Sequence, residues 1–149
     1  ASGFIPKNLD HHGLEDFLLK TFDTQLQFQK LKKVRFYLDN QTFHPMPFDR
    51  ELLSGPLSRL IRHLVTISSQ GEKEQVIKVH VHQQGKLYRI QFELAHFSYE
   101  RTNSSVLQMV FKTIEKALSH YEARIDSYQQ GSPNLYFFQL TLYSGPPHQ

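Results

Sequence analysis

The stretch that most constrains this chain's fold is Val76 to Ala95, "VIKVHVHQQGKLYRIQFELA". Ile77, Val79 and Val81 alternate with Lys78, His80 and His82. After a Gln84-Gly85 turn, Tyr88, Ile90, Phe92 and Leu94 alternate with Arg89, Gln91 and Glu93. A period of two places alternate side chains on opposite faces of a strand, so this is a β-hairpin with one apolar and one charged face. Such a sheet is covered on one side only.

The other segments supply the cover. Leu14, Phe17, Leu18, Phe22 and Leu26 recur at helical spacing and form one apolar stripe. "KVRFYLD" alternates as a strand, with Val34, Phe36 and Leu38 inward. "FDRELLSGPLSRLIRHLVTISSQG" is helical, and the pattern predicts a break at Gly55-Pro56 because Pro56 suits the first turn of a new helix. Its inward stripe is Leu57, Leu60, Ile61, Leu64 and Val65. A third helix is expected to turn Val106, Met109, Val110, Ile114, Ala117, Leu118 and Tyr121 inward. "ARIDSY" and "LYFFQLTLY" are strands joined by the Gly- and Pro-containing "QQGSPN". The order α-β-α-β-β-α-β-β predicts an α+β two-layer sandwich, a five-stranded mixed sheet covered on one face by three helices.

The chain's 149 residues, 39% hydrophobic and 21% charged, are one domain's worth and enough to bury a core. Residues 1–12 read as a linker, 13–143 as the domain and 144–149 as a linker or tail, with "ASGF" and "SGPPHQ" resembling cut points. Seventeen basic against 14 acidic residues give a net charge of +3. That charge is mild and scattered, and no aromatic-basic interleaving appears, so nucleic acid is not an expected partner. The absence of cysteine excludes disulfides and thiolate metal sites. No apolar run approaches the ~18 residues of a membrane span. The expected location is the cytoplasm, either free or as the cytoplasmic part of a larger inner-membrane protein.

Several residues invite chemistry. His80 and His82 lie two apart on one strand face, a spacing that can hold a metal, but Lys78 and Arg89 are expected beside them and no third ligand is evident. A polar sheet face is the favoured reading. "DHHGLED" sets His11 and His12 among acids, either as a phosphoacceptor at a helix start or as a solvated cap, the cap being favoured. Arg62, His63 and Thr66 form a polar stripe on the second helix. Phe97 and Tyr99 lie in the polar loop "HFSYER", where they either tuck under the sheet edge or anchor a partner. No G-x-S-x-G elbow, G-x-G-x-x-G motif or Walker loop is present.

The order helix, strand, helix, hairpin, helix, hairpin from about Leu14 to Tyr143 resembles the ATP-binding domain of histidine kinases, the GHKL or Bergerat fold. "DRELLSGPLSRLIRHLVTISSQGEKEQVIKVHVH" is similar to the segment that carries that family's asparagine helix. "SSVLQMVFKTIEKALSHYEARIDSYQQGSPNLYFFQLTL" is similar to its last helix and closing hairpin. The chemical residues depart from the pattern. "HLVTIS" offers His63 and then Ile67 where the family's magnesium-holding Asn would stand, and isoleucine cannot coordinate a hard cation. "ELAHFS" offers Leu94, Ala95 and His96 in place of the D-x-G-x-G segment, or Glu93 if the alignment shifts by one. No glycine occurs between Gly85 and Gly131, and the lid between Ala95 and Asn103 is far shorter than the family's.

The resemblance therefore implies a degenerate domain without ATP binding, akin either to the ATP-binding-deficient domain of phosphorelay proteins of the Rcs phosphotransfer intermediate type or to the Caulobacter-type phosphotransferases, which keep a kinase-like fold without ATP. It implies no cofactor, no catalytic residue and no metal. It implies a non-catalytic docking role toward a response regulator, alongside an adjoining phosphotransfer domain, with Arg62, His63, Phe97, Tyr99 and Arg101 as the expected contacts around the collapsed site. The alternative is a kinase-type domain that keeps nucleotide in an altered site using Glu93. A third reading is self-association through the last strand, "LYFFQLTLY".

Overall fold

A computed structural model describes residues 13–29, 34–39, 47–68, 75–95, 104–130 and 135–144. Helix α1 spans Leu14–Gln29, strand β1 Val34–Leu38, helix α2 Arg50–Ser68, strand β2 Gln75–Gln84 and strand β3 Leu87–Ala95. Helix α3 spans Ser104–Ala117, a 3-10 turn follows at Ser119–Tyr121, and strands β4 (Arg124–Gln130) and β5 (Leu135–Tyr143) close the domain. The strands form one sheet in the order β1-β2-β3-β5-β4. β1 runs parallel to β2 and the other neighbours are antiparallel. This is the mixed five-stranded sheet with three helices that the sequence predicts.

The hairpin turn falls one residue later than expected. Gln84 pairs with Leu87, leaving Gly85 and Lys86 as the two-residue loop. Gly85 has φ +60, and Glu122 is the one non-glycine at positive φ among the described residues. Glycine at the first loop position matches the II′ geometry that suits strand twist.

The predicted apolar face of the sheet is the buried one. Ile77, Val79, Ile90, Phe92, Leu94, Phe138, Leu140 and Leu142 are all nearly or wholly buried beneath the helices. From α1, Phe22 stacks on Phe36 of β1, with ring centroids 3.6 Å apart. From α3, Phe111 meets Phe138 edge-on at 5.7 Å.

Two helix readings need correction. First, α2 is continuous through Pro56. The imino ring removes one backbone donor and costs about 3 kcal/mol in a helix interior. Against that cost, Leu53, Leu57, Leu60, Ile61 and Leu64 are all fully buried as a single stripe, which a break would split. Second, the inward face of α3 departs from the predicted stripe in part: Ile114, Leu118 and Tyr121 are buried as predicted and Val110 is partly buried against the core, while three positions are not. Leu107, Phe111, Ile114 and Leu118 are buried, whereas Val106 and Met109 are 46% and 68% exposed and Ala117 is also exposed. The spacing i, i+4, i+7, i+11 from Leu107 fits a 3.6-residue period, and the longer Leu and Phe side chains bury more area than Val and Ala.

Self-association through the last strand is also corrected. β5 pairs with β3 on one side and β4 on the other, so its backbone is paired on both sides from Leu135 to Thr141. Its hydrophobicity follows from this central position.

Candidate functional site

Helix α2 carries the described half of the expected contact set, and its start is fixed by a polar lock. Asp49 precedes the helix and its Oδ1 accepts hydrogen bonds from the Glu51 and Leu52 amides at 2.9 and 3.4 Å. That is an N-cap, which satisfies donors the helix cannot. The Asp49 amide itself donates to the Tyr121 hydroxyl at 2.6 Å. Tyr121, 1% exposed, also meets Phe48 edge-on at 5.0 Å. Burial raises its pKa above the ordinary 10.0. The Asp49 amide bond opposes that rise, and the Asp49 charge adds to it. Phe48 in turn packs on Tyr88 at 5.1 Å, so the cap is built into the core.

Three turns on, Arg62 and Thr66 are exposed, and the Thr66 hydroxyl donates to the Arg62 carbonyl at 2.8 Å. His63 differs from the surface residue expected. It is half-buried, its Nε2 is sealed from solvent with no hydrogen-bond partner among the described residues, and desolvation lowers its pKa below 6.5. Adjacent helix positions point 100° apart, so Arg62 faces solvent while His63 turns toward the core. Phe97, Tyr99 and Arg101, the other expected contacts, lie outside the described residues, as do His11 and His12. The structure therefore brings only Arg62 and His63 together. The interval from the end of β3 to the start of α3 is eight residues, 96–103.

The sheet face opposite the helices holds a charge network that the sequence concealed in part. His80 Nδ1 lies 3.0 Å from Asp39 Oδ2, and its Nε2 lies 3.6 Å from Glu93 Oε1. Lys78 Nζ sits 3.9 Å from the other Glu93 oxygen. The expected cationic neighbours are thus joined by two acids. Glu93 stands opposite Lys78 because the turn falls at Gly85-Lys86; the Gln84-Gly85 turn expected from the sequence would set Gln91 there instead. Asp39 was not legible either, because the parallel register of β1 on β2 depends on a crossover through α2. His82 pairs with Arg89, and its ring lies parallel to that of His80 at 6.4 Å. Among the described residues, no group of three or more His, Asp or Glu side chains is arranged to hold a metal.

Beside this network runs an open concavity of about 550 Å³, lined by His82, Arg89, Gln91, Tyr128 and Gln139 among others. Gln91 donates to the Tyr128 hydroxyl, and Tyr128 stacks on Phe137 at 5.1 Å. Glu93 belongs to this outer face, whereas Leu94 is buried under the helices.

No family model matches the sequence, and no curated protein matches it either. Its architecture, however, matches many solved structures. The nucleotide-free catalytic domain of histidine kinase ThkA is 10% identical, with a TM-score of 0.69 over 94% of this chain and 99% of that one. Acinetobacter baumannii histidine kinase AdeS is 16% identical, with a TM-score of 0.63 over 93% of this chain and 68% of that one. Histidine kinase ThkA in complex with response regulator protein TrrA gives 13% identity and a TM-score of 0.59, over 95% of this chain and 43% of that one. At these identities the likeness concerns architecture, and the chain has the α+β fold of the histidine-kinase catalytic domain, the GHKL type.

Proposed function

We propose that this chain is a non-catalytic docking domain of a bacterial two-component phosphorelay protein. It binds a response regulator and raises its local concentration near a phosphohistidine on an adjoining phosphotransfer domain. ATP binding has been lost. The observation that carries the reading is the eight-residue connection 96–103 between β3 and α3, on a fold whose kinase members use a much longer lid there. Ile67 in place of the magnesium-holding Asn and the glycine-free stretch between Gly85 and Gly131 support the same reading. The ThkA structure in complex with TrrA supports the partner class, since that kinase binds a response regulator.

In this reading the contact residues are Arg62 and His63, together with Phe97, Tyr99 and Arg101, which lie outside the described residues. The alternative, an altered nucleotide site built on Glu93, is disfavoured by that residue's place on the outer face with Lys78 and His80. The test is a charge-reversal series, Arg62→Glu and Arg101→Glu, titrated against a panel of purified receiver domains. Binding to at least one receiver that weakens tenfold or more in each variant is expected. No binding by the wild type, or unchanged affinity in both variants, contradicts the proposal.

A further inference from the structure

No carboxylate lines the concavity of about 550 Å³ on the sheet face opposite the helices. Its lining draws on four strands: His82 from β2, Arg89 and Gln91 from β3, Gln139 from β5 and Tyr128 from β4. Register brings them together. His82 stands opposite Arg89, and Gln91 stands opposite Gln139. Alternate residues of a strand share a face, so Arg89 and Gln91 lie side by side there. Tyr128 stacks on Phe137 and accepts a hydrogen bond from Gln91 Nε2. A phenol that accepts keeps its own proton to donate, so the Tyr128 O–H is left for a ligand. Arg89 is exposed and makes no ion pair among the described residues. The acids of this face are placed elsewhere. Asp39 and Glu93 are engaged by His80 and Lys78, and Asp126, opposite Gln139, does not line the concavity.

We infer that this concavity binds a small phosphate-bearing molecule. Arg89 supplies a fixed positive charge, and its planar fork of N–H donors matches two oxygens of an oxyanion. His82, Tyr128 and Gln139 add donors from the neighbouring strands. Donors arriving from four strands suit a tetrahedral phosphate, whose terminal oxygens spread around the ester bond. A carboxylate offers two oxygens in one plane and fits such a cradle less well. The volume lies in the range of small-ligand sites and exceeds that of a bare phosphate, which leaves room for the organic part. The inference is independent of the docking role, whose described contacts Arg62 and His63 belong to α2.

The test is an NMR titration of the full chain, at constant pH and ionic strength, with inorganic phosphate, glycerol phosphate and acetate. Saturable millimolar shifts of the His82, Arg89, Gln91 and Gln139 amides are expected with both phosphates, at lower concentration for the ester, and not with acetate. Arg89→Gln removes the charge and should weaken binding tenfold or more. Tyr128→Phe removes the donated proton, keeps the ring on Phe137 and should weaken binding severalfold. Both positions are exposed, so each variant should keep the circular dichroism of the wild type. Lys112→Gln, at an exposed cation of α3, should leave the affinity unchanged and separates a site from general charge attraction. Shifts that stay linear, or that acetate reproduces in full, would overturn the inference. So would an affinity unaltered in both Arg89→Gln and Tyr128→Phe, or one that Lys112→Gln weakens as much as Arg89→Gln does.

Discussion

Replacing Tyr121 by Phe isolates the lock between the 3-10 turn and the start of α2. The change removes one oxygen and keeps the ring, so the 5.0 Å edge contact with Phe48 survives. What is lost is the acceptor for the Asp49 amide, 2.6 Å away in a site where both residues are nearly sealed from water. Depriving a buried donor of its acceptor costs about 1–3 kcal/mol. With a urea slope of about 1–3 kcal/mol/M, the unfolding midpoint should fall by roughly 1 M at unchanged slope. Alkaline pH gives a second signature. Burial raises the Tyr121 pKa in the folded state above its ordinary 10.0. The unfolded chain thus loses its proton first, and stability declines as pH rises through 10 toward the folded value. Tyr121→Phe should shallow that decline. Part of it remains, because Tyr88 is also raised, by burial and then by the Glu15 charge. A midpoint within experimental error of wild type, with an unaltered alkaline slope, would refute the lock.

Other expectations follow from the same kind of reasoning. His63 is held below 6.5 by desolvation, so it contributes full stability above that pH, and the contribution falls as pH drops from 6.5 toward the folded value. His63→Leu should raise stability at pH 7 by about 1 kcal/mol by removing a buried unpaired nitrogen, and its advantage should grow toward pH 5 in urea titrations. An advantage that shrinks on acidification would contradict this. Glu122 is exposed at φ 50, ψ 42, left-handed space that a non-glycine enters at a cost of about 1–2 kcal/mol. Glu122→Gly should stabilise by roughly 0.5–1 kcal/mol after the extra chain entropy of glycine, read as a higher thermal midpoint, and destabilisation would refute it. Asp39→Asn, in an exposed pair with His80, should change stability by less than about 1 kcal/mol.

Periodicity carried most of the fold. The hairpin from Ile77 to Leu94 and the stripe from Leu57 to Val65 were legible because one face of each is wholly apolar. α3 was less so: Val106, Leu107, Met109, Val110 and Phe111 are apolar on nearly all sides, and hydropathy alone cannot choose between overlapping stripes. Leu107 and Phe111 take the core because they lie seven and three positions before the buried Ile114, on the same helix face. Pro56 misled for a related reason, since local propensity argued for a break while tertiary burial on both sides held the helix together. The candidate site was legible only where it is local. Arg62 and His63 are adjacent in sequence, yet the sealing of His63 depends on neighbours from elsewhere in the fold. Glu115 reaching the Ile125 amide, and Tyr121 reaching the Asp49 amide across 72 positions, have no signature in a linear pattern.

On the proposed reading, the kinase-type scaffold is retained here without its nucleotide. The measurement that meets it most directly is titration with ATP and magnesium, read by calorimetry and by the thermal midpoint. A ligand that binds only the folded state at ten times its dissociation constant adds about 1.4 kcal/mol, a shift of several degrees for a domain of this size. No saturable heat and an unmoved midpoint are expected at millimolar nucleotide. Saturable binding with a raised midpoint, and NMR shifts clustered at Ile67 and Leu94, would contradict it.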